Sequence, residues 1–240
     1  MKEETSWLPP VREDKEHGQQ YYTVQDAMQL SPQAYEEWVY SSKTPKVDEV
    51  RLYPDSRFWN GVMTKSPPFL PLLFWPPVIL WMVGLPLEGA KVMAVVVGLM
   101  LWFPVEYLFH RFLFHIPVTS PFTRKFHFML HGIHHVAPKD LWHVFSPPHE
   151  VAVQIIAVWT FFWALGVPEP TSVCAGILLN YMRYDLVHYC CHAYSVESLG
   201  KVRPAFLGRY LQRCKVHHMT HHFVNPRNHY TISFVTSLVD

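Results

Sequence analysis

The sequence predicts an all-α integral membrane protein with two transmembrane helical hairpins (four helices) and a cytosolic helical cap that carries a histidine-rich dimetal site. Three observations predict this fold. Apolar segments occur in two close pairs after a polar stretch of 65 residues, and 50% of all residues are hydrophobic. Fifteen of the sixteen histidines lie from residue 110 onward, at spacings that place several of them on one helix face.

The chain has 240 residues, which suits one domain. We divide it into a polar cytosolic N-terminal segment, residues 1–65, and a membrane-embedded domain, residues 66–240. No apolar stretch follows the first residues, so we expect no cleavable secretory signal and a cytosolic N-terminus. Ser31 is a good N-cap and Pro32 suits the first helical position, which predicts a short helix over residues 32–40.

Composition argues against several classes of protein. A net charge of +1 gives no indication of nucleic-acid binding. Four cysteines, two of them adjacent, make a poor disulfide framework and favour a reducing compartment. Cys190 and Cys191 lie between His188 and His192 and offer thiolates as an alternative ligand type, but free cysteines are usually buried packing residues, so we expect packing.

Four apolar segments predict the membrane helices. The first, residues 69–87, has nineteen residues without a charge. As a helix it would measure roughly 28 Å, close to the hydrocarbon thickness of a bilayer. The other three, residues 92–105, 151–167 and 173–182, are shorter, so core helices of a soluble protein are the alternative. Their aromatic and prolyl content and their arrangement in two pairs favour the membrane.

Short connections at residues 86–91 and 166–170 predict two tight hairpins. A chain that starts in the cytosol then returns there twice, and all the grouped histidines lie on the cytosolic side. A cytosolic helix over residues 121–135 is expected between the hairpins, and a matching helix near the C-terminus. Basic residues concentrate on the histidine side, as the positive-inside rule requires: Lys65, Arg111, Arg124, Lys125, Lys139, Arg203, Arg209, Arg213 and Lys215.

Ten histidines occur in spaced groups and are the predicted metal ligands: His110, His115, His131, His134, His135, His188, His192, His218, His221 and His222. The spacing His-x-x-His-His occurs twice, and residues three and four apart share a helix face. A surface or core position would be the simpler explanation for any single histidine. The repeated spacing of the set indicates convergence, and ten imidazoles exceed the ligands of one ion, so two metal ions are predicted.

The remaining histidines lack this pattern. We expect His17, His143, His149 and His229 on the surface or in loops. His127 lies four residues before His131, so it is a candidate for the outer layer of the site. His217 lies four residues before His221, but the repeated spacing favours His218 as the ligand.

The ligand type constrains the chemistry. An all-histidine site beside apolar helices is typical of a catalytic metal with open positions rather than a closed structural zinc site. Imidazole suits iron, copper and zinc. Apolar surroundings indicate a lipid substrate, and oxidation of its C–H bonds needs a redox metal and O2, so iron is expected. We predict no catalytic residue beyond the ligands, and no other cofactor site.

Two carboxylates are candidates to accept the second N–H of a ligand imidazole. Glu106 lies four residues before His110, and Asp185 lies three residues before His188. The alternative for each is a charge at a helix end in the membrane interface.

Four motifs in combination resemble those of the fatty acid hydroxylase superfamily, and most closely those of the fatty acid 2-hydroxylases: Glu106-Tyr107-x-x-His110-Arg111-Phe112-x-Phe114-His115, His131-Gly132-x-His134-His135, Tyr184-Asp185-x-x-His188-Tyr189 with His192, and His218-x-x-His221-His222. The resemblance covers about residues 30–240. It includes Tyr35-Glu36-Glu37-Trp38-Val39, which is similar to the plant-type members.

The resemblance implies an endoplasmic-reticulum membrane enzyme that hydroxylates C2 of long or very-long fatty acyl chains for sphingolipids. It implies that all ten grouped histidines bind metal, about five per ion, with iron or zinc as the bound metal. Many members carry a fused cytochrome b5 domain with a His-Pro-Gly-Gly motif, which this sequence lacks. Electrons are therefore expected from a separate cytochrome b5 and its NADH-dependent reductase, docked near Arg203, Arg209, Arg213 and Lys215.

The chain departs from this family in three places. A longer insert follows His222 and runs through Pro226 and His229, and Ala193 stands where a histidine is common. The sequence ends at residues 237–240, where relatives tend to show a Trp-Asp pair and a short tail, so an incomplete C-terminus is expected.

Other functions are compatible with the same histidine spacing. Within the superfamily, the alternatives are sterol methyl oxidation, sphingoid-base hydroxylation and desaturation. From another class, the alternative is a non-catalytic membrane metal-binding or metal-transport protein. Transporters place polar ligands near the membrane midplane, whereas these ligands cluster at helix ends and on soluble segments, which favours an enzyme.

Overall fold

The computed structural model describes residues 8–42 and 44–232, which are mostly helical. The helices are α1 (Val24–Gln29), α2 (Pro32–Tyr40), α3 (Arg57–Thr64), α4 (Leu70–Val83), α5 (Gly89–Leu108), α6 (Pro121–His127), α7 (Ile133–Val136), α8 (Pro148–Ala164), α9 (Pro170–Ala193), α10 (Val196–Gly200) and α11 (Ala205–Phe223). Three short strands are β1 (Arg12–Glu13), β2 (Gln20–Thr23) and β3 (Glu49–Arg51).

The four predicted apolar segments form the helices α4, α5, α8 and α9. α8 packs against α9 as a hairpin, but α4 packs against α9 rather than against α5, so the predicted tight pair α4–α5 is not observed. The boundaries of the four helices also differ from the prediction. α4 does not continue to residue 87, because Gly84 adopts a positive φ of 64° and Pro86 has no amide hydrogen to donate. α5 is longer than predicted and continues into a π-helical turn, Phe109–Phe114. α9 extends from the apolar segment through both of its histidines.

One described helix is long and apolar enough to cross a membrane, the 26 residues Gly89–Phe114. α4 is apolar but has only 14 residues. α9 has 24 residues but contains polar side chains such as Asn180 and Asp185, and much of its surface is buried in the protein. The prediction of four membrane spans therefore stays a prediction, although all four helices are present.

α9 is the central helix of this region, since α4, α5, α8 and α11 all pack against it. Its closest approach is to α5, where two glycines face the partner backbone. A Cβ on Gly98 would lie 2.0 Å from the Val173 carbonyl oxygen, and a Cβ on Gly176 would lie 2.1 Å from the Val95 carbonyl oxygen. Only glycine permits this contact, so the pair sets the spacing at which α5 and α9 deliver their histidines.

The N-terminal segment packs against the cap rather than standing apart. α2 has the predicted bounds, and the Ser31 hydroxyl accepts a hydrogen bond from the Ala34 amide. Tyr35 and Trp38 of this helix are fully buried in one core with Phe128 and Val136. The burial of these two aromatic side chains against the cap explains why the mostly polar N-terminal segment is folded.

A small sheet in this segment was not predicted. β1 pairs antiparallel with β2, and β2 pairs parallel with β3. The strands have only two to four residues, too few for an alternating pattern to identify them in the sequence. The expected incomplete end at residues 237–240 lies outside the described residues.

The cap contains the two helices that carry the histidine triplets. α6, a π-helical turn at Phe128–Gly132 and α7 form one continuous helical stretch from Pro121 to Val136, close to the predicted residues 121–135. Ser120 caps its start by accepting a hydrogen bond from the Thr123 amide. α11 is the predicted matching helix.

The Gly98 contact yields a first prediction. Gly98→Ala should destabilise the fold by about 1–3 kcal/mol through overpacking, more than alanine gains in helix propensity, because the new methyl group meets backbone that cannot rotate away. Gly89→Ala in the same helix is the control, since its Cβ would meet no heavy atom within 4 Å. The measurement is the thermal unfolding midpoint of the purified protein. Equal midpoints for the two variants would contradict the contact.

Candidate metal centre

The fold brings all four histidine groups together. His110 lies in the π-helical turn after α5, and His115 directly follows that turn. The first triplet comes from α7 and the turn before it, and the others come from α9 and α11. Eight of the ten side chains belong to buried residues, and His115 and His192 are half-buried. The predicted convergence of these distant segments is therefore observed in the structure.

The imidazoles form two clusters, in each of which the candidate ligand atoms lie within 4.8 Å of one another. The five-histidine cluster contains His134, His188, His192, His218 and His222. The four-histidine cluster contains His110, His115, His131 and His221. Each cluster takes side chains from both parts of the fold, the apolar helices and the cap, so neither can form unless the two parts dock correctly.

His135, the tenth histidine, lies between the clusters. Its Nε2 is 3.0 Å from Nε2 of His131 in the four-histidine cluster. Its ring centroid is 4.4 Å from that of His222 in the five-histidine cluster. This position makes His135 the candidate fifth ligand of the four-histidine cluster.

The distances between ring nitrogens fit metal coordination. Nε2 of His134 lies 2.9 Å from Nε2 of His188 and 3.0 Å from Nε2 of His222. Metal–imidazole bonds are about 2.0–2.1 Å long, so two nitrogens at right angles around one ion lie about 3.0 Å apart. A neutral imidazole has one N–H to donate, and so many nitrogens converging at this separation cannot all be satisfied by hydrogen bonds to each other.

Backbone carbonyls fix the orientation of three of the rings. Nδ1 of His192 donates to the Pro138 carbonyl at 2.8 Å, and Nδ1 of His221 donates to the Asn228 carbonyl at 2.8 Å. Nδ1 of His110 donates to the Tyr230 carbonyl. A carbonyl oxygen can only accept, so in each neutral ring the proton is on Nδ1 and the Nε2 lone pair faces the cluster.

The cap histidines are neutral at physiological pH. Burial, followed by the neighbouring imidazoles, holds the pKa of four candidate ligands of the cap well below the usual histidine value: His134, His135, His218 and His222. A neutral imidazole has a lone pair to give, so these rings are ready to bind a cation without first losing a proton.

The two predicted carboxylates lie beside the clusters, but Glu106 acts differently from the expectation. Its Oε1 accepts a hydrogen bond from the backbone amide of Ile232, whereas the second N–H of His110 goes to the Tyr230 carbonyl. The i,i+4 spacing of Glu106 and His110 could not reveal this. The segment that contains Tyr230 and Ile232 lies between the two side chains and comes more than a hundred residues later in the sequence. Glu106 thus holds the segment that orients His110.

Asp185 is buried, and its Oδ2 has no hydrogen-bond partner. It lines a cavity of about 60 Å³ together with Glu106, Tyr184 and histidines of both clusters. A buried carboxylate is costly, and a cation bound nearby would offset that cost. The donor set and this carboxylate therefore fit a metal centre.

The other histidines divide as follows. His217 does not join a cluster, and its Nδ1 lies 3.0 Å from Nδ1 of the loop residue His229, so the choice of His218 is consistent with the geometry. His149 is exposed. His143 lies in a loop as expected but is not on the surface, because Nδ1 contacts Asp140 at 2.6 Å and Nε2 contacts the Thr64 hydroxyl at 3.1 Å.

His127 is buried beside the four-histidine cluster, where it contacts two tyrosines of α2. Sequence reasoning did not identify these tyrosines as part of the site, although Tyr35 stands in the run that resembles the plant-type proteins. The cysteines do not join the clusters. Cys191 is buried in the core with Leu211 and Cys214, as a packing residue.

Comparison with protein families identifies a match. The model of the fatty acid hydroxylase family matches residues 95–240. Dihydroceramide fatty acyl 2-hydroxylase FAH1 of Arabidopsis thaliana is 30% identical over 195 residues, which cover 79% of this chain and 77% of the plant protein. Fatty acid 2-hydroxylase of Rattus norvegicus is 38% identical over 142 residues, 58% of this chain and 36% of the rat protein.

A solved structure has a similar fold. It is described as full-length scs7p with only the hydroxylase domain visible. The TM-score is 0.63 at 23% identity, over 88% of this chain and 73% of that chain.

The paired residues His217 and His218 test the metal centre. His218→Ala should lower the metal content of the purified chain by about one ion of the two predicted, because His218 faces the five-histidine cluster. His217→Ala, one residue away and also buried, should keep both ions. The measurement is elemental analysis of each variant. Equal losses in the two variants would contradict the assignment.

Proposed function

Because the chain belongs to the fatty acid hydroxylase family, we propose that it is a fatty acid 2-hydroxylase that acts on long or very-long fatty acyl chains of sphingolipids. Relatives in plants and mammals are named as 2-hydroxylases of dihydroceramide fatty acyl chains or of fatty acids. The observation that carries the proposal is the pair of histidine clusters within a chain of this family. The family also favours an enzyme over a non-catalytic metal-binding protein.

We propose that the ten histidines hold two metal ions. The five-histidine cluster would hold one, and the four-histidine cluster with His135 would hold the other. Iron ions bound there would supply the activation of O2 that C–H oxidation needs. One oxygen atom enters the C2–H bond and the other leaves as water, so each turnover consumes two electrons and two protons. Glu106 and Asp185 would supply negative charge beside such ions.

Apolar side chains next to the clusters would border the path of an acyl chain. The cavity that touches the histidines shares Trp102, Phe109 and Tyr181 with a second, apolar cavity of about 30 Å³. That second cavity lies between α5, α8 and α9, and Ile155 and Ile177 contribute to its wall. An acyl chain that entered there would extend away from the clusters between the apolar helices, with its carboxyl end toward the metals.

We propose that α4, α5, α8 and α9 are membrane helices of the endoplasmic reticulum, with the clusters on the cytosolic side. Large apolar side chains remain exposed on the outer faces of three of these helices, including Trp81, Met93 and Phe161. An apolar surface of this extent is typical of a membrane contact. Protease cleavage of the N-terminal segment in sealed microsomes would agree with a cytosolic site, and protection would contradict it.

We propose a separate cytochrome b5, reduced by its NADH-dependent reductase, as the electron donor. Arg203, Arg209 and Arg213 are exposed, and the last two line a groove of about 620 Å³ with Gln212. An acidic protein face would be complementary to this surface. Lys215 contributes less, because its ammonium donates to the Cys191 carbonyl. Turnover that is insensitive to reversal of the three arginines to glutamate would count against this partner.

Expression in a yeast strain that lacks its own fatty acid 2-hydroxylase tests the activity. We expect 2-hydroxy fatty acids in hydrolysed sphingolipids from the parent chain and from His149→Ala, whose side chain is exposed. His131→Ala should abolish the product, because it removes a candidate ligand.

Product from none of the well-expressed chains would contradict 2-hydroxylation. Hydroxylated sterols, hydroxylated sphingoid bases or desaturated lipids in the same extracts would indicate the corresponding oxidation instead.

The apolar cavity yields a prediction on chain length. Ile155→Trp should reduce the use of the longest acyl chains relative to shorter ones by at least about tenfold, because the indole fills space that the distal methylenes need. Ile156→Trp is the matched control, since Ile156 is 61% exposed on the outer face of the same helix. The measurement is the chain-length distribution of 2-hydroxy fatty acids. Identical chain-length distributions in both variants would exclude this cavity as the path of the acyl chain.

A further inference from the structure

Tyr40, the last residue of α2, lies between two imidazoles. Its hydroxyl oxygen is 2.9 Å from Nδ1 of His115 and 2.6 Å from Nε2 of His127. Nδ1 of His127 is in turn 2.7 Å from the hydroxyl of Tyr35. Hydrogen bonds thus connect four side chains in series, from His115 of the four-histidine cluster through Tyr40 and His127 to Tyr35 in the N-terminal segment.

The donor and the acceptor of each hydrogen bond in this series can be assigned, starting at the cluster. Nε2 of His115 faces the cluster, 3.1 Å from Nε2 of His221, so a neutral His115 that binds metal carries its proton on Nδ1. That N–H donates to the Tyr40 oxygen. Tyr40 then donates its own proton to Nε2 of His127. The Nδ1–H of His127 donates to the Tyr35 oxygen, so each of the three hydrogen bonds has one donor and one acceptor.

The surrounding packing holds these groups in place. The ring of Tyr40 stacks on that of His115, with centroids 5.4 Å apart and planes 14° apart. Its edge meets His135, with centroids 5.0 Å apart. Tyr35 and His127 are almost completely buried, at 0% and 1% exposure. None of these rings can turn away without disturbing the core beneath the cap.

Gly132 has a specific role in this arrangement. A Cβ at this position would lie 2.7 Å from the Tyr35 hydroxyl and 3.2 Å from Nδ1 of His127. The hydroxyl sits at the end of a rigid, buried ring, so it could not yield cheaply. The glycine of the His-Gly-x-His-His motif therefore leaves room for the last hydrogen bond of the series.

We propose that Tyr40 is a positioning residue for the metal ligand His115, and that α2 is in consequence part of the metal centre. α2 precedes the segment that the family model matches. By accepting the Nδ1–H of His115, the Tyr40 hydroxyl holds the ring with Nε2 toward the four-histidine cluster and makes it a better donor to a metal. This inference rests on the proposed function, because it requires that the cluster bind a metal ion.

Tyr40→Phe isolates the hydroxyl, since phenylalanine keeps the ring that stacks on His115. Tyr22→Phe is the matched control: Tyr22 is a buried tyrosine of the same core, and its hydroxyl contacts the Pro45 carbonyl at 3.4 Å. Each full-length chain is loaded with Co²⁺, and the release of the ions to a chelator is followed by absorbance. Thermal unfolding midpoints are measured alongside.

We expect the parent chain and Tyr22→Phe to release two ions at the same rates. Tyr40→Phe should release one of its two ions at least about tenfold faster, with a changed Co²⁺ absorption band for that ion and the other ion unaffected. Tyr35→Phe, which leaves the Tyr40 contact with His115 intact, should give a smaller acceleration of the same ion.

Three results would overturn the inference. Equal release from Tyr40→Phe and Tyr22→Phe would show that the hydroxyl does not position His115. Faster release of both ions, together with a lower unfolding midpoint, would show a general loosening of the core. A parent chain that binds no Co²⁺, Fe²⁺ or Zn²⁺ would overturn the proposed metal centre itself, and the inference with it.

Discussion

The structure depends on one constraint: ten imidazoles from four distant segments must bring their Nε2 atoms to about 3 Å separation inside the protein. Burial of polar rings without partners is costly. Nδ1 has no partner in His134, His135, His218 and His222, within the described residues. Cations bound on the shared Nε2 side would offset this cost, which explains why such a cluster is stable in a folded chain.

The central helix connects this constraint to the apolar helices. α9 begins among apolar neighbours and ends with His188 and His192, two of the five histidines of the five-histidine cluster. The other three come from α7 and α11. Gly98 and Gly176 let α5 and α9 touch backbone to backbone. Because ligand geometry tolerates errors of only about half an ångström, close packing of these two helices serves the site as well as the fold.

The buried carboxylates would balance the positive charge of two bound metal ions. Two divalent ions held by neutral imidazoles would place about four positive charges in a region of low polarity. Glu106 and Asp185 are both buried next to the clusters. Glu106 also accepts a hydrogen bond from the amide of Ile232, which fixes the segment whose Tyr230 carbonyl orients His110. The same side chain would lower the net charge of a site that holds two cations.

The sequence alone predicted the four apolar helices, α2, the two cap helices and the ligand candidates, because these follow local rules: apolar runs, the Ser31–Pro32 cap of α2, and histidines three and four apart. The same spacing favoured His218, which is the one of the adjacent pair that faces a cluster. Only the tertiary structure decided the division into two clusters, the burial of His143, the contact of Glu106 with Ile232 and the contact of Tyr40 with His115. These last two join residues 126 and 75 positions apart in the chain. Contacts of that range depend on how the apolar helices and the cap dock, which no local pattern encodes.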